Sequence, residues 1–114
     1  MASLRNMREI AELEERMEVL CAQASSERPH TGLLAAIEDL LAEGYICALR
    51  GDHRTRGLQK RFDAAVAAGH DVEELQAIAH EQRMVAEATR NLRSQLAVMH
   101  ERWLALAEAS ASAA

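Results

Sequence analysis

The sequence predicts an all-α protein: an antiparallel helical hairpin, coiled-coil-like, with a third helix on its N-terminal side. Three observations carry this. Ala, Leu, Glu and Arg dominate the 114 residues, with one Pro and five Gly, which is the composition of long helices. Two stretches then repeat inward-facing residues at alternating spacings of three and four. The later stretch reads Leu75, Ile78, Gln82, Val85, Thr89, Leu92, Leu96, Met99, Trp103, Leu106, and the earlier one Leu34, Ile37, Leu41, Gly44, Ala48, Gly51, Thr55, Leu58, Phe62, Ala65. That alternation is a heptad seam. Finally, Gly69-His70-Asp71 separates the two seams as a turn. Folding the chain there sets Phe62 opposite Ile78, Leu58 opposite Gln82, Ala48 opposite Leu92, Gly44 opposite Leu96 and Ile37 opposite Trp103. The register closes along the full length of both arms.

In chain order, a first helix is expected over residues 3–24, with Ser3 as N-cap. Its apolar stripe is Ile10, Leu13, Met17, Leu20 and Ala24, extended by Leu4 and Met7. Its outer face is dense in Glu9, Glu12, Glu14, Glu15 and Glu18, interspersed with Arg5, Arg8 and Arg16. Residues 25–32 form the linker, broken by Pro29, which cannot continue a helix, and Thr31 is placed to cap the second helix. That helix spans 33–68. Gly44 and Gly51 fall at d positions inside it, where each glycine costs about 1 kcal/mol relative to Ala in an exposed helix interior. Either they let the third helix approach closely, with Leu96 and Thr89 filling the space, or Gly51 ends one helix and Asp52 caps another. The seam keeps phase across Gly51, which favours a continuous or kinked helix. Gly69 suits the left-handed position after a helix, and Asp71 with Glu74 marks the next N-terminus. The third helix covers 72–107, and the small-residue tail 108–114 is expected to fray. Along the hairpin edges, Arg61 should face Glu81, Glu38 should lie near His100, and Tyr45 near Arg93.

At this length the chain is a single domain. Leu33, Leu40 and Cys47 widen the apolar face of the second helix beyond the hairpin seam. A two-helix hairpin leaves that shoulder uncovered, together with the stripe of the first helix. Either the first helix packs back as the third member of a bundle, or it packs on a second copy of the chain in a helix-exchanged homodimer. The same surplus motivates the leading functional expectation, a non-enzymatic adaptor, chaperone or regulator that binds a helical protein segment. Its contact residues would be Ile10, Leu13, Met17, Leu20, Leu33, Leu40 and Cys47.

The alternative expectation is recognition of an anionic ligand or nucleic acid by Arg50, Arg54, Arg56, Lys60 and Arg61, a basic cluster that also holds His53. The net charge of −5 argues against nonspecific binding to nucleic acid or anionic membrane. Cys21 and Cys47 have no CxxC or metal-ligand spacing and read as reduced thiols. The inward positions of the hairpin are apolar apart from Gln82 and the two threonines, so no metal, cofactor or catalytic constellation is expected. No apolar run approaches the ~18–20 residues that span a bilayer, and the charged N-terminal residues do not read as a signal peptide. A cytoplasmic protein without a membrane segment is the expectation.

The segment Leu40-Leu41-Ala42-Glu43, continuing through Ala48-Leu49-Arg50-Gly51-Asp52 to Leu58 and Arg61, resembles flagellar export chaperones. Those proteins are small helical hairpins with a leucine-rich first arm, a Gly-Asp step and a following Leu and basic residue. The likeness covers about a quarter of the chain, and the paired asparagines often seen in that group's second arm are reduced here to Asn91. The resemblance implies a chaperone that masks an amphipathic helix of a secreted subunit, and it transfers no binding residues.

Overall fold

The computed structural model describes residues 2–26 and 30–113, and among these it is helical throughout apart from the turn at 68–71 and residue 30. Helix α1 spans Ala2–Ser26, α2 Thr31–Ala67 and α3 Val72–Ala113. The predicted break at Pro29 lies outside the described residues. The molecule is a rod of 66 × 18 × 16 Å, its length that of α3, whose 42 residues extend about 63 Å at ~1.5 Å per residue.

Both seams face inward as the heptads require. Ile37, Leu41, Gly44, Ala48, Gly51, Leu58 and Ala65 of α2 are buried against Ile78, Val85, Thr89, Leu92, Leu96 and Met99 of α3. The helix runs unbroken through Gly51 because the glycines open contact between the helices. A Cβ built on Gly44 would lie 2.3 Å from Leu96 Cδ2, and one on Gly51 would lie 2.1 Å from Thr89 Oγ1. The two seam threonines stay satisfied within their own helices. Thr89 Oγ1 donates to the Val85 carbonyl at 2.8 Å and Thr55 Oγ1 to the Gly51 carbonyl at 2.9 Å, so neither hydroxyl bridges the seam. Gln82 turns to the edge, donating to Gln59 Oε1 at 2.8 Å.

The turn is set by local chemistry. Gly69 adopts φ +73°, which costs no Cβ clash only for glycine. The His70 amide donates to the Ala65 carbonyl and that of Gly69 to Val66, the pairing that closes a Schellman motif. Asp71 Oδ1 accepts from the Glu74 amide at 2.9 Å, capping α3, and His70 pairs with Glu74.

Five element boundaries differ from those the sequence predicts, the smallest being the end of α2 at Ala67 instead of residue 68. Ser3 is not an N-cap but lies inside α1, with its side chain turned into the bundle. The cap of α2 is His30, not Thr31. The His30 Nδ1 accepts from the Leu33 amide at 3.1 Å, and Gly32, without a Cβ, leaves room for the ring. Helix α2 starts at Thr31 and α1 continues to Ser26, so the helices claim most of the expected linker. The tail does not fray at residue 108 but stays helical to Ala113, as its alternating alanines allow.

Helix α1 closes the bundle within the chain, running antiparallel to α2 and parallel to α3. Arg16 pairs with Glu43, Arg50 lies 3.5 Å from Glu9, and Arg102 Nη1 donates to the Cys21 carbonyl at 3.3 Å. Ile10, Leu13 and Met17 join Leu33, Leu40, Cys47, Leu92 and Leu96 in one core cluster. Beyond Arg54 the hairpin projects alone, held by a second, smaller cluster of Leu58, Ala65, Ile78 and Val85.

The N-terminal end of the α1 stripe also departs from the predicted one. Leu4 is 63% exposed, and the buried positions are Ser3 and Asn6. Counting back from Ile10 by four and three gives these two residues, so the heptad holds and its chemistry changes. The reason stands opposite: after Leu33, Leu40 and Cys47, the next residue on that edge of α2 is Arg54. Its Nε donates to Ser3 Oγ at 2.7 Å and its Nη2 to Glu81 Oε2 at 3.0 Å. Glu81 thus takes Arg54 rather than Arg61, and on the opposite edge Arg93 takes the Asp52 carboxylate.

A candidate helix-docking groove between α1 and α3

The seven apolar residues expected to receive a partner are consumed by the fold. Ile10, Leu13, Met17, Leu33, Leu40 and Cys47 are buried in the main core cluster and Leu20 is packed against it. This corrects the expectation that they form a contact surface. The surplus on the α2 shoulder and the surplus on α1 are complementary, and each covers the other. Burial raises the pKa of the Cys47 thiol, the Glu9 carboxylate adds to the rise, and Arg50 opposes it. Cys47 is therefore a poor nucleophile.

The basic cluster divides. Arg50 and Arg54 brace α1 through Glu9 and Ser3, and Arg54 also pairs with Glu81 of α3. Arg56, Lys60 and Arg61 are exposed and are engaged in no ion pair among the described residues. Among the described residues no three His, Cys, Asp or Glu side chains are grouped to hold a metal ion.

An open feature lies on the other flank of α1. A trough of about 810 Å³ runs between α1 and α3. Its floor is Met17 and Met99, both buried. The α1 wall presents Ala11, Glu14, Glu15, Glu18 and Cys21, and the α3 wall Ser94, Gln95 and Val98. Val98 is 62% exposed, an aliphatic side chain standing at the lip. At one end Arg102 bridges from α3 to the Cys21 carbonyl. The lining of α1 from Ala11 to Cys21 covers about three helical turns at 3.6 residues per turn.

The walls have opposite character. The α3 wall is neutral. On the α1 wall none of Glu14, Glu15 and Glu18 has a Lys or Arg three or four residues away on its own helix, and none enters an ion pair among the described residues. Glu14 and Glu18 instead stand one turn apart, a like-charge spacing that costs an isolated helix about 0.2–0.5 kcal/mol. The one neighbouring cation in sequence, Arg16, points to Glu43 on α2. From the sequence these glutamates read only as part of a dense outer face. The legible signal is their lack of intrahelical cation partners; Val98 and the methionine floor emerge only once α1 is placed beside α3.

Fold and groove together define a three-helix bundle with an open, methionine-floored trough. No protein-family model matches the chain, and no curated protein or solved structure matches it. No helix among the described residues is long and apolar enough to cross a membrane.

Proposed function

We propose that the protein is a non-enzymatic helical adaptor, chaperone or regulator that works by receiving a partner's helix. The observation that carries this reading is the α1–α3 trough, apolar at its floor, about three turns long and open among the described residues. Helix-in-groove recognition needs a trough of this shape, into which an amphipathic helix inserts residues at i, i+3 or i+4, and i+7. Methionines suit such a floor because their unbranched side chains adapt to the incoming surface. The export-chaperone likeness of the α2 segment is compatible with the same activity.

Val98→Glu tests it. The residue is exposed, so the variant should keep its circular dichroism spectrum and thermal midpoint while placing a charge at the lip. Against a panel of labelled amphipathic helical peptides, wild-type binding by fluorescence anisotropy should weaken about tenfold or more in the variant. Equal affinity in the two proteins would remove the trough from the reading.

A second reading, anion binding, is favoured by one observation: Arg56 and Lys60 stand one turn apart, exposed and unpaired among the described residues, with Arg61 beside them. Arg56→Glu with Lys60→Glu is the suitable variant, because replacing Arg54 would also unseat α1. Binding to a labelled oligonucleotide should fall with salt at a log–log slope of roughly −0.7 to −0.9 per cation engaged and vanish in the variant. A slope near zero, or binding unchanged by the two substitutions, would eliminate this reading.

A further inference from the structure

We infer that the occupant of the α1–α3 trough is a basic amphipathic helix of a partner protein, about three turns long. Its apolar stripe packs on Ala11 and Val98 above the buried Met17 and Met99, and its Lys or Arg residues meet Glu14, Glu15 and Glu18. This inference rests on the helix-receiver reading and specifies its partner.

Charge complementarity selects this occupant. Three carboxylates line one wall of an apolar trough. Among the described residues they enter no ion pair on α1 or across the bundle, although α1 also carries Arg5, Arg8 and Arg16. Several acidic residues that face a neighbouring helix are answered: Glu9 by Arg50, Glu43 by Arg16, Glu81 by Arg54, Asp52 by Arg93. In the trough three carboxylates border an apolar surface with no ion pair among the described residues. An incoming helix with cations flanking its apolar stripe supplies that answer, and its approach is steered by the same field. An acidic helix meets repulsion, and an anionic lipid surface or nucleic acid meets the same obstacle. The neutral α3 wall of Ser94, Gln95 and Val98 adds no opposing cation. Arg102, at the closed end, is turned to the Cys21 carbonyl.

The test uses two designed peptides of three to four turns with one Leu/Met stripe, one carrying Lys and Arg on its flanks and its counterpart carrying Glu at those positions. Each is titrated against wild type, Val98→Glu, and the triple variant Glu14→Lys, Glu15→Lys, Glu18→Lys. The full chain is used throughout, with circular dichroism confirming the helix content of each variant. The expected result is a preference of about tenfold or more for the basic peptide in wild type, reversed in the triple variant. That preference should shrink as salt rises from about 0.1 M to 1 M, where the Debye length falls from about 10 Å to 3 Å. If wild type binds both peptides equally and Val98→Glu weakens both, the basic-partner inference is overturned and the helix-receiver reading stands. If Val98→Glu changes neither affinity, or neither peptide binds, the helix-receiver reading fails and takes this inference with it. A dimer by light scattering that Val98→Glu dissolves would assign the trough to a second copy of the chain, which also overturns the inference.

Discussion

Leu40→Asp is expected to release α1 from the hairpin while leaving α2 and α3 helical. Leu40 is fully buried and belongs to the core cluster that contains Ile10, Leu13 and Met17. Truncating such a leucine costs about 2–5 kcal/mol, and an unpaired carboxylate in its place adds an effective desolvation penalty of several kcal/mol. The remaining links between α1 and α2 cannot absorb that loss. Arg16–Glu43 and Arg50–Glu9 are solvent-exposed pairs, each contributing about 0–1 kcal/mol. Helix α1 by itself has 25 residues and unanswered glutamates, so its helicity depends on packing rather than propensity. The hairpin beyond Arg54 keeps its own cluster of Leu58, Ala65, Ile78 and Val85. Hydrogen exchange should therefore show amides of residues 2–26 losing protection while those of residues 55–67 and 75–92 retain it. Uniform loss across the chain would mean the hairpin depends on α1 throughout, and unchanged protection in α1 would mean its seat does not pass through Leu40. In either case the account of α1 as a separable third helix is wrong. With α1 released, the bared Leu33 and Cys47 shoulder should also drive concentration-dependent self-association, visible by light scattering.

The same shoulder shows how far the sequence can be read. The heptads specify the hairpin because a period of seven leaves little freedom once the turn at Gly69 is placed. Leu96 against Gly44 and Thr89 against Gly51 meet as that register requires. The surplus on α1 and the surplus on α2 are both visible in the sequence, yet periodicity states only that an apolar face needs cover. It does not say whether the cover comes from the same chain. In the structure Ile10, Leu13 and Met17 of the same chain cover Leu33, Leu40 and Cys47, and the expected partner surface becomes interior. The error at Leu4 has a related origin. Hydrophobicity draws the stripe toward Leu4 and Met7, whereas the heptad phase runs through Asn6 and Ser3 to meet Arg54. Arg54 looks like one of five surface cations and proves to be a bridge among three helices. The trough is the least legible feature, because it is a space between elements: Glu14, Glu15 and Glu18 are conspicuous, but Met17, Met99 and Val98 join them only in three dimensions.

The polar layer at the start of α1 gives the docked helix its alignment. The Asn6 residue is 7% exposed, and its Oδ1 is buried without a hydrogen-bond partner among the described residues. An orphaned buried acceptor costs about 1–3 kcal/mol, so this end of α1 is held less firmly than the Ile10–Met17 segment. A shift of α1 by one heptad would set Arg54 against Ile10, burying a guanidinium against an aliphatic side chain. Ser3 and Arg54 thus fix register more than they stabilise, as a polar a-position residue does in a coiled coil.

Gly51→Ala is expected to destabilise the protein by up to about 2 kcal/mol, against the direction that helix propensity alone dictates. Propensity favours Ala over Gly by about 1 kcal/mol in a helix interior. Here the new Cβ would lie 2.1 Å from Thr89 Oγ1 and 3.1 Å from both Thr89 Cβ and Cγ2. A rotation about χ1 cannot clear all three atoms, and it would break the hydroxyl's bond to the Val85 carbonyl. Thr89 is buried and β-branched, so relief requires the two helices to separate, and overpacking of this kind costs about 1–3 kcal/mol before the propensity gain is subtracted. Gly44→Ala should be milder, because its close contacts are to Leu96 Cδ2, Cδ1 and Cγ, the outer part of a side chain with two rotatable bonds. Thr89→Ala removes the obstructing hydroxyl and methyl. By itself it opens a gap opposite Gly51, but combined with Gly51→Ala it restores a close alanine–alanine crossing. The double variant should therefore be more stable than Gly51→Ala alone, with a favourable coupling of about 1–3 kcal/mol in a urea-denaturation double-mutant cycle. Additive effects would show that α2 and α3 are not in contact at this layer. The contact matters beyond the hairpin, because Gly44 and Gly51 lie within the stretch of α2, from Leu33 to Arg54, on which α1 sits. The spacing they permit brings Leu92 and Leu96 close enough to Leu40 and Cys47 for one stripe of α1 to cover both helices.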